Sequence, residues 1–264
     1  MPVVEAGNVE LSYERSGSGP PLLLIMGLSG TLLHWGEPLM EALRRDFDVI
    51  IYDHRGVGAS SRVEAPFTIA DLAEDATALL SALELESVHV TGISMGGMIA
   101  QELALTHPER VRTLMLGCTY CGGPGSSLPT QPELAAAVMS GDRERALRAM
   151  WEANVSEGFA QDSEAYARFH AIGLKRAVAL AVTMEQLAAI AGHDTSARLG
   201  ELNMPTLVVH GTADRILPVE NGRLVAELIP GSRLEIWPDI GHLFFWELPE
   251  RSAELVREHA LVSA

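Results

Sequence analysis

Six short apolar runs rich in β-branched residues recur along the chain: "PLLLIMG", "FDVIIYD", "SVHVTGI", "VRTLMLG", "PTLVVHG" and "SRLEIWP". Each is bounded by turn residues, and in all but "SRLEIWP" the apolar character is nearly continuous. A strand with one wet face would show a polar residue at every second position. These runs therefore read as strands buried on both faces, the pattern of a parallel sheet. Between most of them lie helix-like stretches: "HWGEPLMEALRRD", "TIADLAEDATALLSALEL", "GGMIAQELALTHPE" and "VENGRLVAELIP", with "ELPERSAELVREHALV" closing the chain. Strand alternating with helix implies βαβ units and a doubly wound α/β sheet. Two alternating stretches at the start, "VVEAG" and "VELSYERSG", predict an antiparallel hairpin at one edge, bringing the mostly parallel sheet to eight strands.

One segment breaks the alternation. From residue 121 a loop, "GGPGSSLPTQP", leads into "ELAAAVMSGDRERALRAMWEANV", "SEAYARFHAIGL", "KRAVALAVTMEQLAAIAGH" and "TSARLGEL". For about eighty residues no strand pattern appears, far longer than an ordinary crossover. The expected organisation is a core of residues 1–120 and 205–264, with an inserted helical cap over 121–204. The full 264 residues suit one large domain.

The glycine spacing in "GISMG", residues 92–96, raises the question of chemistry. It ends a strand and opens a helix, so Ser94 sits at the tip of a sharp turn. In an open α/β sheet ligands gather beyond the carboxyl ends of the strands. A serine on such a turn is a G-x-S-x-G nucleophile elbow; the plainer alternative is a serine that only caps the helix. A serine hydroxyl needs a base near neutral pH. Elbow enzymes supply acid and then histidine in chain order, which here selects Asp214 in "TADRILP" and His242 in "PDIGHLFFWELP".

These stretches, with "MGLSG", "YDHRGVGAS", "HGTADRILP" and "IGH", make the chain similar throughout its length to the α/β-hydrolase superfamily. The resemblance is closest to small carboxylesterases and 3-oxoadipate enol-lactonase-like hydrolases. It implies Ser94 as nucleophile, His242 as general base and Asp214 as its orienting carboxylate. The implied oxyanion hole uses the backbone N–H groups of Leu28 and Met95. Many relatives carry histidine where this chain has Met26. Asp53 and Arg55 are expected to tie loops together, and Asp194 to cap a helix over "TSARL". His34, Trp35 and Trp151 are candidate pocket residues, with Met139, Phe159, Phe169 and Met184 as further candidate walls from the cap. The implied substrate is a small-molecule ester or lactone, with neither cofactor nor metal. A carboxylated lactone would need one of the cap cations Arg143, Arg145, Arg148, Arg168, Lys175 and Arg176. The first three share "GDRERALRAM" with Glu144, the pattern of a solvated face, so neutral esters are expected ahead of it.

Charge and cysteine usage narrow the partners. A formal net charge of -16 argues against nucleic acid and anionic membrane surfaces. No apolar run reaches the roughly 18 to 20 residues of a membrane helix, and "MPVVEAGNVE" lacks a signal-peptide pattern. Cys118 and Cys121 form a C-x-x-C pair with no second set of ligands, so free thiols in a reducing cytoplasm are expected. Nothing in the pattern speaks to oligomeric state.

Overall fold

The computed structural model describes residues 1–62, 66–175 and 178–262. Arg176, one of the candidate cap cations, lies outside the described residues. Eight strands form one sheet: β1 (Val3–Ala6), β2 (Val9–Gly17), β3 (Pro21–Ile25), β4 (Asp48–Tyr52), β5 (Val88–Ile93), β6 (Val111–Gly117), β7 (Thr206–Gly211) and β8 (Arg233–Trp237). Their order across the sheet is β1-β2-β4-β3-β5-β6-β7-β8. The β1–β2 and β2–β4 pairs are antiparallel and every other pair is parallel. The hairpin therefore occupies one edge, as the alternating pattern predicts.

The side chains of the central strands divide between two cores with period two. Leu23 and Ile25, Ile50, Val90, Leu114 and Leu116, and Val208 face one core, shared with α2 (Ile69–Ala82) and α3 (Met95–Thr106). Leu22 and Leu24, Val49 and Ile51, Ile93, Met115, and Leu207 and Val209 face the other, shared with α1 (Glu37–Leu43) and α10 (Pro249–Val262). In the central strands two covered faces leave no position for a polar residue to reach water, hence the unbroken apolar runs. By contrast β8, expected to be buried on both faces, is an edge strand with Arg233 exposed and only Trp237 buried. Thr68 caps α2 in a reciprocal box with Asp71: Asp71 N–H donates to Thr68 Oγ1 at 3.2 Å, and Thr68 N–H to Asp71 Oδ2 at 2.7 Å.

Between β6 and β7 run α4 (Pro132–Met139), α5 (Arg143–Asn154), α6 (Ser163–Lys175) and α7 (Leu180–Ala191). The stretch expected as one helix from 133 to 155 is two. Gly141, at φ 74°, breaks it, and Asp142 starts α5 by accepting from Arg145 N–H at 3.1 Å. "TSARLGEL" is turn and a short 3-10 segment, Leu199–Glu201, instead of a regular helix. Asp194 accordingly caps no helix. Its Oδ1 accepts from Ser196 N–H at 3.0 Å and Ser196 Oγ at 2.7 Å, a local side-chain turn that competes with helix formation. The remaining helices are α8 (Val219–Leu228), after β7, and the short α9 (Phe244–Glu247) before α10. No described helix is long and apolar enough to cross a membrane.

Candidate active site

The strand order reverses around β3, which lies between β4 and β5. The segments leaving β3 and β5 are thus neighbours at the carboxyl edge, where open α/β sheets place their ligands. Ser94 is the residue between β5 and α3. Its φ of 58° and ψ of −123° are those of a strained turn that a non-glycine residue adopts rarely. The two flanking glycines make the turn possible. A Cβ on Gly92 would lie 2.2 Å from Gly96 O, and one on Gly96 would lie 2.0 Å from Ile25 O. Ser94 N–H donates to Gly117 O at 2.9 Å, and Thr119 Oγ1 donates to Ser94 O at 2.7 Å, so β6 and its exit hold the turn.

Asp214 and His242 come from the loops after β7 and β8. Backbone bonds interlace those loops: Thr212 N–H to Trp237 O and Ala213 N–H to Ile240 O, both 2.9 Å. Gly211 permits this approach, since a Cβ there would lie 2.1 Å from Ile240 O. The outcome is a 2.7 Å hydrogen bond between His242 Nδ1 and Asp214 Oδ2, with both side chains buried. Asp214 Oδ1 accepts from Ile216 N–H at 2.8 Å and Leu217 N–H at 2.9 Å. A second imidazole, His210, brings Nε2 within 3.1 Å of Asp214 Oδ2 while donating to Leu217 O at 2.9 Å. Burial alone would raise the Asp214 carboxyl. The His242 charge and hydrogen bonds from His210 and His242 outweigh it, holding the group well below the usual carboxylate range. The Ser94 hydroxyl and His242 share this edge, and among the described residues no hydrogen bond joins them.

Leu28 lies in the segment after β3, and Met95 opens α3. Neither backbone N–H donates a hydrogen bond among the described residues. Gly27 brings that segment against Ser94, since a Cβ on it would lie 3.1 Å from Ser94 Cβ. His54 Nε2–H donates to Met26 O at 2.8 Å, and Leu32 N–H donates to Asp53 Oδ1 at 2.8 Å. Asp53 and Arg55 are therefore loop ties. Arg55 forks onto buried Asp75 through Nε at 2.7 Å and Nη2 at 2.6 Å.

The candidate pocket residues separate by burial. His34 is half-buried, edge-on to Phe169 of α6 at 5.7 Å. Thr31 N–H donates to its Nδ1 at 3.0 Å, which puts the neutral ring's proton on Nε2, and burial lowers the ring to about 4. Trp35 is 2% exposed and packs on Phe245 in the core shared with α1 and α10. Trp151 is buried among Phe159, Tyr166, Phe169 and Trp246, with Nε1–H donating to Ala160 O at 3.2 Å. Large apolar rings gain most from complete burial, so helical spacing marked core here. Met139 and Met184 point the other way, being exposed on the outer faces of α4 and α7.

Cys118 and Cys121 are free and buried. Cys118, His210 and Asp214 place one donor atom each within 4.8 Å of one another. The donor set does not suit a metal. Asp214 already accepts from His242, Ile216 and Leu217, and His210 Nε2–H is shared between Leu217 O and Asp214 Oδ2. Burial and the Asp214 charge push the Cys118 thiol well up, away from the thiolate a metal requires. Burial, reinforced by Arg198 and opposed by Asp194, lowers His193 to about 4, while Asp194 is engaged by Ser196.

Several residues bearing on the site carry no signal in the sequence. Glu247 of α9 accepts from Gly241 N–H and Ser156 N–H, both at 2.8 Å, and thereby ties the His242 loop to the residues after α5. Leu243 N–H donates to Asn154 O at 2.8 Å. Gln186 of α7 accepts from Ser29 N–H at 2.9 Å. Only the folded chain brings these partners together; His210, four residues before Asp214, could have been noticed by proximity alone.

Comparison with known proteins agrees with this architecture. Residues 20–249 match the family model of the alpha/beta hydrolase fold. A protein of Azorhizobium caulinodans named for carbamate hydrolase activity, RutD, is 32% identical over 244 residues, 89% of this chain and 88% of its own. The poly(3-hydroxyalkanoate) depolymerase of Ectopseudomonas oleovorans is 32% identical over 240 residues, 89% and 82% of the two chains. In fold, the enol-lactonase of Burkholderia xenovorans LB400 superposes with a TM-score of 0.85 at 24% identity, covering 98% of this chain and 100% of that one. With its eight-stranded sheet, its strained serine turn and matches along nearly its whole length, the chain belongs to the alpha/beta hydrolase family.

Proposed function

We propose that this hydrolase cleaves carboxylic esters through an acyl-enzyme on Ser94. The observation that carries the reading is the 2.7 Å bond between His242 Nδ1 and Asp214 Oδ2 at the sheet edge that holds the Ser94 turn. With Nδ1–H directed at a carboxylate held in its charged form, the His242 tautomer is fixed and Nε2 is left to act as base. Ser94 Oγ attacks the acyl carbon and His242 Nε2 takes its proton. The Leu28 and Met95 N–H groups hold the tetrahedral oxyanion, and the same proton passes to the departing alcohol. Water, deprotonated by His242, then releases the acid. No step needs a metal or cofactor. The 121–204 insertion serves as the cap, and the two buried free thiols support a reducing, cytoplasmic setting.

Charge on the cap favours neutral substrates over a carboxylated lactone. Arg143 donates to Gly173 O and Leu174 O, and Arg148 pairs with Glu152. Arg145, Arg168 and Lys175 are exposed. A carboxylate clamp would need one of them turned inward, against a net charge of -16. The names of the two relatives support acyl cleavage more broadly, with carbamates as the nearest alternative substrates.

The test is Ser94→Ala, assayed with short aryl esters and a carboxylated enol-lactone and probed with a fluorophosphonate. The variant is expected to lose on the order of 10⁴-fold or more in rate, together with labelling, while unfolding near the wild-type temperature. Stoichiometric labelling of the variant at another residue would remove the nucleophile assignment. A strong wild-type preference for the lactone, abolished by replacing one cap arginine, would replace ester with lactone.

A further inference from the structure

The candidate oxyanion segment, from Met26 to Leu32, is held at several points. Within the segment, Gly30 N–H donates to Gly27 O at 3.2 Å. At its two ends, His54 holds Met26 O and Asp53 holds Leu32 N–H, both at 2.8 Å. Its middle is Ser29, next to Leu28, with φ at 55° in the left-handed region that disfavours a serine. A residue in that conformation persists only if its surroundings hold it there. The holding groups come from α7, about 150 residues further along the chain. Ser29 N–H donates to Gln186 Oε1 at 2.9 Å, and Ser29 Oγ hydrogen-bonds Thr183 Oγ1 at 2.7 Å. Thr183 and Gln186 are three residues apart and so share one face of the helix. Val182 extends the contact, packing where a Cβ on Gly56 would come within 3.0 Å.

Gln186 is fully buried, and its amide Nε2 has no hydrogen-bond partner among the described residues. An unsatisfied buried donor of this kind costs about 1–3 kcal/mol. An apolar residue would remove that cost but would leave Ser29 N–H without its acceptor, so what the glutamine at 186 supplies is that one bond.

From this arrangement we propose that Gln186, assisted by Thr183, is the positioning residue of the oxyanion hole. By holding Ser29 N–H it fixes the Leu28–Ser29 peptide, one Cα beyond the Gly27–Leu28 peptide that carries Leu28 N–H, and so limits the rotation about Leu28 that would turn that N–H away from the oxyanion. The cap helix α7 is thereby part of the catalytic machinery, and turnover depends on its docking. The inference rests on the acyl-enzyme reading above. Because a misaimed donor weakens binding of the transition state and leaves the ester ground state alone, its signature is in kcat and not in KM.

The experiment compares Gln186→Ala, Gln186→Glu and Thr183→Val with wild type. Each is assayed for kcat and KM on an aryl ester, and for inhibition by an aryl trifluoromethyl ketone. In that probe Ser94 Oγ adds to the ketone carbon, its proton passes to His242, and the ketone oxygen becomes the bound oxyanion. Gln186→Ala is expected to lower kcat by about 10- to 100-fold, approaching the loss of a donor outright, with KM within a few-fold. Ketone affinity should fall in parallel. Gln186→Glu keeps an acceptor for Ser29 N–H and should retain most of both. Thr183→Val should show a smaller loss of the same kind, and it supplies the reading if the alanine variant does not fold. Folded Gln186→Ala and Thr183→Val proteins with wild-type kcat and ketone affinity would overturn the proposal, as would a loss confined to KM. Ser94→Ala run alongside keeps the two readings apart. If it stays active the acyl-enzyme itself is wrong; if it is dead while the other variants are unaffected, only the positioning role falls.

Discussion

Lowering the pH from 7 to 5 should destabilise this protein through histidines that play no part in its chemistry. His89 on β5 and His193 after α7 are 3% and 6% exposed. Burial is the main cause that brings each down from 6.5 to about 4, with Arg112 and His259 adding to it at His89 and Arg198 at His193. The folded forms are thus neutral where the unfolded chain binds protons. Stability is fully present above about 6.5, falls as the pH drops through that value, and levels off below about 4. At pH 5 the unfolded imidazole is almost entirely protonated and the folded one almost entirely not, which costs about 2 kcal/mol for each residue. The pair removes about 4 kcal/mol from a total that for a domain is typically about 5–15 kcal/mol. His34, His54 and His259, also lowered chiefly by burial, act with the same sign. Asp75, raised by burial against the pull of Arg55, opposes them in its own range. The assay is urea unfolding at pH 7, 6 and 5 at constant ionic strength, with the native histidines followed by NMR. Wild type should lose stability steeply below pH 6.5, and His89→Gln and His193→Gln should each flatten the slope. A flat profile over this range, or a native His193 resonance titrating near 6.5, would refute the reasoning.

Two more outcomes follow from particular contacts. Asp214→Asn should lower kcat by about 10⁴-fold because the His242 tautomer is no longer fixed, whereas Asp239→Asn, at a residue whose own backbone N–H donates to Thr212 Oγ1, should change kcat little; a larger effect at Asp239 would show the wrong carboxylate had been chosen. Arg55→Ala strands buried Asp75 and should cost about 3–5 kcal/mol in urea unfolding, and the double change Arg55→Leu with Asp75→Leu should recover most of it.

The sequence carried the sheet because two buried faces leave a local mark, an unbroken apolar run, wherever a strand occurs. It carried the serine turn for a similar reason: Gly92 and Gly96 are required by contacts within the turn and with the adjacent strand β3. That Asp214 and His242 meet was legible by chain order, since each follows a strand that ends at the same edge. Capping of α2 was legible too, Thr68 and Asp71 being three residues apart. Elsewhere local pattern failed. Apolar rings in the insertion could line a pocket or form a core, and Trp151 proved core because Trp246, nearly a hundred residues away, closes over it. The C-x-x-C spacing did not reveal that Cys118 meets His210 and Asp214. Nor did any pattern join Ser29 to Gln186, or Glu247 to Ser156. Each of those bonds links loops or helices that touch only after the insertion has docked on the sheet edge. Strand, helix and turn are decided by neighbours in sequence, which the sequence displays; the aim of a buried hydrogen bond between distant segments is decided by how they pack, and only the tertiary structure holds that.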